Sequence, residues 1–236
     1  MVVGTDTIRR VRDRQVIAAL YVEREGQYVG LDDVEPWDED RDARQYAGPW
    51  PVVAHPPCAR WCLLAPLNQS MHGYMIGDDG GCFAAALDAV RTFGGVLEHP
   101  AYSLAWSAFQ LPAPIRNGWQ TSMDDPGWAT EVSQVAYGHP CRKRTWLYYV
   151  GDEPPGAFDW REPAALSVVS DWGPGNSRRR GADWEPGIQY AEASRTPPAF
   201  RDALVSLAES ARRSFHLLPL PGGARSEARE PLSPRG

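Results

Sequence analysis

The sequence predicts a single α/β domain, on three observations. Short apolar runs of β type end abruptly at polar, proline-marked tips. A segment of helical period lies between two of those tips. One further run is dense in aromatic and β-branched residues. At 236 residues and 43% hydrophobic content, the chain can build one core with an appendage.

Each element follows from its residues. Residues 16–22 (Val-Ile-Ala-Ala-Leu-Tyr-Val) read as a buried strand, and 27–31 as a second short strand or hairpin partner. The acidic stretch 32–44 reads as loop or short helix. Residues 51–54 form another buried strand, which His55-Pro56-Pro57-Cys58 must end, because two prolines fix φ and remove two backbone donors. A helix is expected to open within 61–67, and the Gly- and Asp-rich stretch 69–81 reads as loop. Cys82–Phe93 carries Phe83, Ala86, Leu87 and Val90 at helical spacing and stops at Gly94-Gly95. Gly95-Val96-Leu97 is a strand running into a second tip, Glu98-His99-Pro100. Residues 102–125 look irregular, 131–137 extended, and 145–150 (Thr-Trp-Leu-Tyr-Tyr-Val) strongly β. Residues 198–212 form an amphipathic helix with Pro198 at its start. Residues 1–218 are expected to form the domain, with 152–196 an irregular insert and 219–236 a disordered tail.

Charge and cysteine usage narrow the partners. No apolar run approaches the roughly 18–20 residues of a membrane span, and the first residues are too charged for a secretory leader. Cys58, Cys62, Cys82 and Cys141 form no disulfide framework, so a cytoplasmic setting is expected, with no membrane and no obligate protein partner. No further ligand pair accompanies His55, Cys58 and Cys62, so no metal site is assigned. The net charge of −6 is concentrated: residues 23–42 hold nine acids against two arginines, a net −7, which leaves +1 elsewhere. Basic clusters at Arg9-Arg10-Val11-Arg12, Arg142-Lys143-Arg144 and Arg178-Arg179-Arg180 are compatible with a phosphate backbone. Lys143 is the only lysine.

Three polar tips occur in a telling order: His55-Pro56-Pro57-Cys58, then Glu98-His99-Pro100, then the segment from Gln134 through Tyr137-Gly138-His139-Pro140 to Arg142 and Arg144. Over roughly residues 42 to 151 this resembles the DNA cytosine-5 methyltransferase family. That family has a Pro-Pro-Cys nucleophile, a Glu-Asn-Val tip, and a Tyr-Gly-x-Pro-Gln-x-Arg-x-Arg segment leading into a strand. The resemblance implies a Rossmann-like methyltransferase-type sheet with helices on both faces, reduced in its N-terminal half. It implies that Cys58 attacks carbon 6 of a flipped cytosine in DNA, and that Glu98, with a raised pKa, contacts ring nitrogen 3. Arg142 and Arg144 would brace the base and lower the thiol pKa. Pro57, His99, Gln134 and the loop Arg178-Arg179-Arg180 would contact substrate, and Trp61 is placed to stack on a base. S-adenosylmethionine would be the methyl donor, with Glu23 and Asp42 at its site.

The chain departs from the family pattern in places. Glu23-Arg24-Glu25-Gly26 stands where a glycine-rich cofactor loop is expected, and His99 stands where the family has asparagine. Two alternatives therefore stay open. One is carbon-5 modification with another donor or on a free nucleotide; the other is a non-catalytic nucleic-acid-binding or inhibitory protein on the same scaffold.

Overall fold

A computed structural model describes residues 16–169, 187–188 and 190–211. The basic clusters 9–12 and 178–180 and the tail 219–236 lie outside the described residues.

The spine is an eight-stranded mixed sheet. It comprises β1 (Ile17–Leu20), β2 (Val34–Trp37), β3 (Val52–Ala54), β4 (Gly95–Pro100), β5 (Ile115–Arg116), β6 (Gln120–Ser122), β7 (Asp125–Ser133) and β8 (Arg144–Val150). The order is β2-β1-β3-β4-β8-β7-β5, with β6 pairing β7. The first four strands are mutually parallel, while β8 runs antiparallel between β4 and β7. From β1 the chain moves one way to β2 and then returns to the other side of β1 for β3. The sheet therefore has a switch point between β1 and β3, beyond whose carboxyl ends ligands bind in such folds.

Helices cover both faces, as expected. On one face α2 (Cys82–Phe93) packs Phe83, Ala86, Leu87 and Val90 on Leu20, Ala54, Leu97 and Tyr148. On the other, α5 (Pro198–Ser210) packs Phe200, Leu204 and Leu207 on Ile17, Val53, Val96 and Leu147. The helices α1 (Ala65–His72), α3 (Leu104–Ala108) and α4 (Tyr190–Ser194) are shorter connections.

Several expectations are corrected. Residues 27–31 form turns, and the edge strand β2 lies in the acidic stretch read as loop; its Pro36 is tolerated because β2 pairs on one side only. The helix after Cys58 starts at Ala65 and runs on to His72, into the expected loop. β4 is longer than the expected 95–97: it takes in Glu98 and His99 and ends at Pro100, opposite Thr145 of β8. Residues 134–137 are not extended but form a 3-10 turn, ended by Gly138 at φ +88°. The stretch 102–125 contains α3, β5 and β6.

Candidate functional site

Strand alternation decides which tip residues meet. Val53 and Val96 face α5 and pair across β3 and β4, so residues two further along, His55 and Glu98, share that face at the carboxyl-end edge. There His55 Nδ1–H donates to Glu98 Oε2 at 3.0 Å. Tyr28, from the β1–β2 connection, meets His55 Nε2 at 2.8 Å. Burial raises the Tyr28 pKa well above its usual value, with the Glu98 charge adding to the effect, so the phenol keeps its proton. Gln134 Nε2 donates to Thr145 Oγ1 at 2.9 Å and to Glu98 Oε1 at 3.3 Å, while Gln134 Oε1 is buried with no partner among the described residues.

Cys58 stands beside this chain. Its carbonyl accepts from the N–H groups of Trp61 and Cys62 at 2.9 and 2.8 Å, which turns the backbone after the Pro-Pro pair. The thiol is partly buried. Burial, then the charges of Cys62 and Glu98, push its pKa up; its own backbone N–H and Lys143 pull it back. The Lys143 ammonium donates to the carbonyls of Ser194 and Arg195 at 2.7 and 3.2 Å, at the end of α4. Burial lowers its pKa, opposed by the charges of Glu98, Cys58 and Glu23. Burial alone would raise the Glu98 pKa, but the His55 hydrogen bond and charge outweigh it and, with Lys143, hold the carboxyl at about 2. Glu98 is thus a resting anion, where a raised pKa was expected.

The structure brings Cys58, Glu98 and Gln134 together and leaves other expected residues outside. Pro57 is exposed at the turn. Arg144 points to the opposite sheet face, where its guanidinium binds Glu131 and Tyr102. Arg142 is 65% exposed and pairs with Glu162 at 2.8 Å. The cation that acts on the thiol is therefore Lys143, between them, because side chains alternate across β8 and its lead-in. His99 alternates away from Glu98 and is fully buried, edge-on to Phe83. Burial holds its pKa down to about 4, against the charge of Glu98 and a contact with the Pro57 backbone, and neither ring nitrogen reaches full hydrogen-bond geometry among the described residues. Trp61 is no stacking platform: it is buried against Phe83 and Phe109, and its Nε1–H donates to Asp79 at 2.8 Å. Arg178, Arg179 and Arg180 lie outside the described residues.

The β1 edge does not fit S-adenosylmethionine in the manner the resemblance implies. Tyr21 follows β1 at φ +60°, and the exposed Glu23 lies within electrostatic reach of Lys143, on the Cys58 side. The Asp42 carboxylate closes on its neighbour, accepting from Arg44 Nε at 2.8 Å and Nη2 at 3.0 Å. That commits Asp42 to Arg44 and leaves one glycine, Gly26, in the segment 23–26 where a glycine-rich cradle is expected.

His55, Tyr28, Thr145 and Lys143 are functional candidates that motif reading passed over. The alternation from Val53 to His55 and from Val96 to Glu98 was the available signal. No known protein-family model matches the chain, and no curated protein matches it.

Proposed function

We propose that this protein modifies carbon 5 of a cytosine in DNA through a covalent adduct to Cys58. One observation carries the reading: a thiol and a carboxylate share the carboxyl-end edge of adjacent parallel strands beside the switch point, with an amide and an ammonium brought to them by the β7–β8 connection.

The chemistry follows from those groups. Cys58 Sγ, as thiolate, adds to carbon 6, and the electron pair of the 5,6 double bond moves to carbon 5 as ring nitrogen 3 gains a proton. Lys143 stabilises the thiolate. Glu98, held as an anion, stabilises the proton on nitrogen 3 and accepts from the exocyclic amine; His55 Nδ1–H is the adjoining proton source. Carbon 5 then bonds to an electrophilic one-carbon group, whose carrier departs with the electron pair of the bond it loses, and nitrogen 3 gives its added proton back to the Glu98–His55 pair. The carbon-5 hydrogen leaves as a proton to solvent, and the returning electron pair re-forms the double bond and expels the sulfur. Methylation is the modification the resemblance implies. The electrophile is left to experiment, since the β1 edge does not fit S-adenosylmethionine.

DNA carrying 5-fluorocytosine tests the reading: once carbon 5 has taken the one-carbon group, fluorine there cannot leave as a proton, the sulfur is not expelled and the adduct persists. A mass increase equal to the oligonucleotide, lost in Cys58→Ser, is expected. Running the trap with and without S-adenosylmethionine reports the donor. An unmodified protein mass in every condition, a small-molecule cell extract as donor source included, overturns the proposal. The raised thiol pKa favours one other reading, a nucleic-acid-binding protein without chemistry. That reading requires salt-sensitive DNA binding unchanged by Cys58→Ser and no adduct.

A further inference from the structure

An arginine-lined cleft occupies the same edge of the sheet as Cys58. It encloses about 330 Å³ where β5 and β7 end and β8 begins, and Arg116, Arg144, Arg161, Glu131 and Glu162 are among its walls. The strand directions place it. β7 and β5 run parallel to each other and antiparallel to β8, so Arg116, Glu131 and the start of β8 all lie at the carboxyl-end edge of β3 and β4.

The guanidiniums are held in place. Glu131 Oε1 accepts from Arg116 Nε at 2.8 Å and Arg144 Nε at 2.8 Å, and its Oε2 accepts from Trp146 Nε1 at 2.9 Å. Glu162 takes Arg116 Nη1 at 3.3 Å and Arg142 Nε at 2.8 Å. Asp159 takes Arg161 Nε and Nη2. Four guanidiniums thus face three carboxylates. Among the described residues, Arg142 commits only Nε and Arg161 keeps Nη1 uncommitted, and both side chains are mostly exposed, at 65% and 80%. Carboxylates that orient arginine forks while leaving N–H groups outward make a surface matched to phosphate oxygens.

Distance selects the ligand. With strands spaced about 4.8 Å apart, the cleft lies roughly 10 to 19 Å along the edge from β3, whose tip presents Cys58. A nucleotide seated at Cys58 cannot place its own phosphate there. Neighbouring phosphates of a strand rising about 3.4 Å per base reach it within a few residues. We infer that the cleft lined by Arg116, Arg144 and Arg161, with Arg142 beside it on the wall residue Glu162, holds backbone phosphates flanking the target base, so the substrate is a polynucleotide and not a free nucleotide. The inference rests on the proposed pyrimidine chemistry at Cys58.

The test separates the two. Binding of a short fluorescein-labelled single-stranded oligonucleotide is titrated against salt with Cys58→Ser protein, alone and carrying Arg142→Gln and Arg161→Gln. Loss of two phosphate contacts lowers the salt slope by about 1.4. Arg24→Gln, an exposed arginine at the β1 end of the edge, is expected to leave the slope unchanged. In parallel, with a small-molecule cell extract supplying the donor, wild-type protein is offered 5-fluoro-2′-deoxycytidine monophosphate and the fluorinated oligonucleotide, and only the oligonucleotide is expected to form an adduct. An unchanged slope in the double variant, or equal trapping of the mononucleotide, overturns the inference while the chemistry stands. A reduced slope with no adduct on either substrate keeps the cleft and removes the chemistry.

Discussion

Lys143 and Glu98 act on the Cys58 thiol with opposite signs, so their variants separate in opposite directions. Lys143→Met removes a cation that favours the thiolate, and Glu98→Gln removes an anion that opposes it. Peptide-resolved mass spectrometry of iodoacetamide alkylation at pH 8 is expected to show Cys58 reacting slower in the first variant and faster in the second. Each change is roughly two- to tenfold, the range of a pKa shift up to about one unit. Equal rates would detach both charges from the sulfur. His99 makes a separate claim about pH. Its folded pKa of about 4 lies below the ordinary 6.5, so between those values the unfolded chain binds more protons and stability rises with pH. Stability is therefore undiminished above about 6.5 and falls as pH drops towards 4, by about 3 kcal/mol if the full shift acts. His99→Leu makes the urea midpoint less steep over that window; the slope that remains belongs to His139, also held down by burial, and at lower pH to the depressed carboxyls Glu98, Glu131, Asp42 and Asp159. A wild-type midpoint that stays flat from pH 6.5 to 4 would contradict the burial account. At this scale the sequence supplied the proposed nucleophile and the carboxyl group beside it. It hid the cation, because three basic residues in a row reveal which faces the thiol only once the strand's alternation is known.

Elements were legible where one physical signal dominated. Cys82–Phe93 has its apolar stripe and a glycine stop, and its observed bounds coincide with the expected ones. The tips were legible because strand alternation and proline chemistry are local. β2 was not, since it is an edge strand of four residues with no fully buried side chain, including an acid and a proline; its partner β1 supplies the order that its composition does not. Residues 134–137 were misread for a related reason. Their apolar and polar alternation resembles a strand, but Gly138 at φ +88° and the Lys143 carbonyl, which accepts from Gln134 N at 3.0 Å, bend them into a turn. That turn is what delivers Gln134 to Glu98. The entry to β4 yields a prediction of its own. Gly95 sits at φ +119°, and a Cβ there would lie 2.0 Å from the Val52 carbonyl oxygen, a backbone atom that cannot step aside without breaking the β3–β4 pairing. Gly95→Ala is expected to cost about 4 kcal/mol or more in a urea titration. A loss under about 1 kcal/mol would mean that the two strands are not held at this distance.

Across the whole molecule, the carboxyl-end edge carries a charge gradient among the described residues. At the β2–β1 end stand Glu23, Asp38, Glu39 and Asp40, with Arg24 drawn onto Glu39 and Asp40. Cys58, Glu98 and Lys143 occupy the middle, and the arginine cleft closes the β7–β5 end. A net charge of −6 averages this gradient away, which is why composition argued against a nucleic-acid partner while segment charges left it open. A polyanion seated at Cys58 is repelled towards one end and attracted towards the other, so the strand leaves the site in a single direction. Trapping with two sets of fluorinated oligonucleotides reads this polarity: one set is extended only on the 5′ side of the target, the other only on the 3′ side. Adduct yield is expected to climb with length in one set and stay level in the other. Moderate salt should erase the difference, because exposed charges beyond about 10 Å are screened near 0.1 M. Equal gains from both sides would mean that the acidic end is turned away from the path of the strand, and the gradient would then have no part in orienting it.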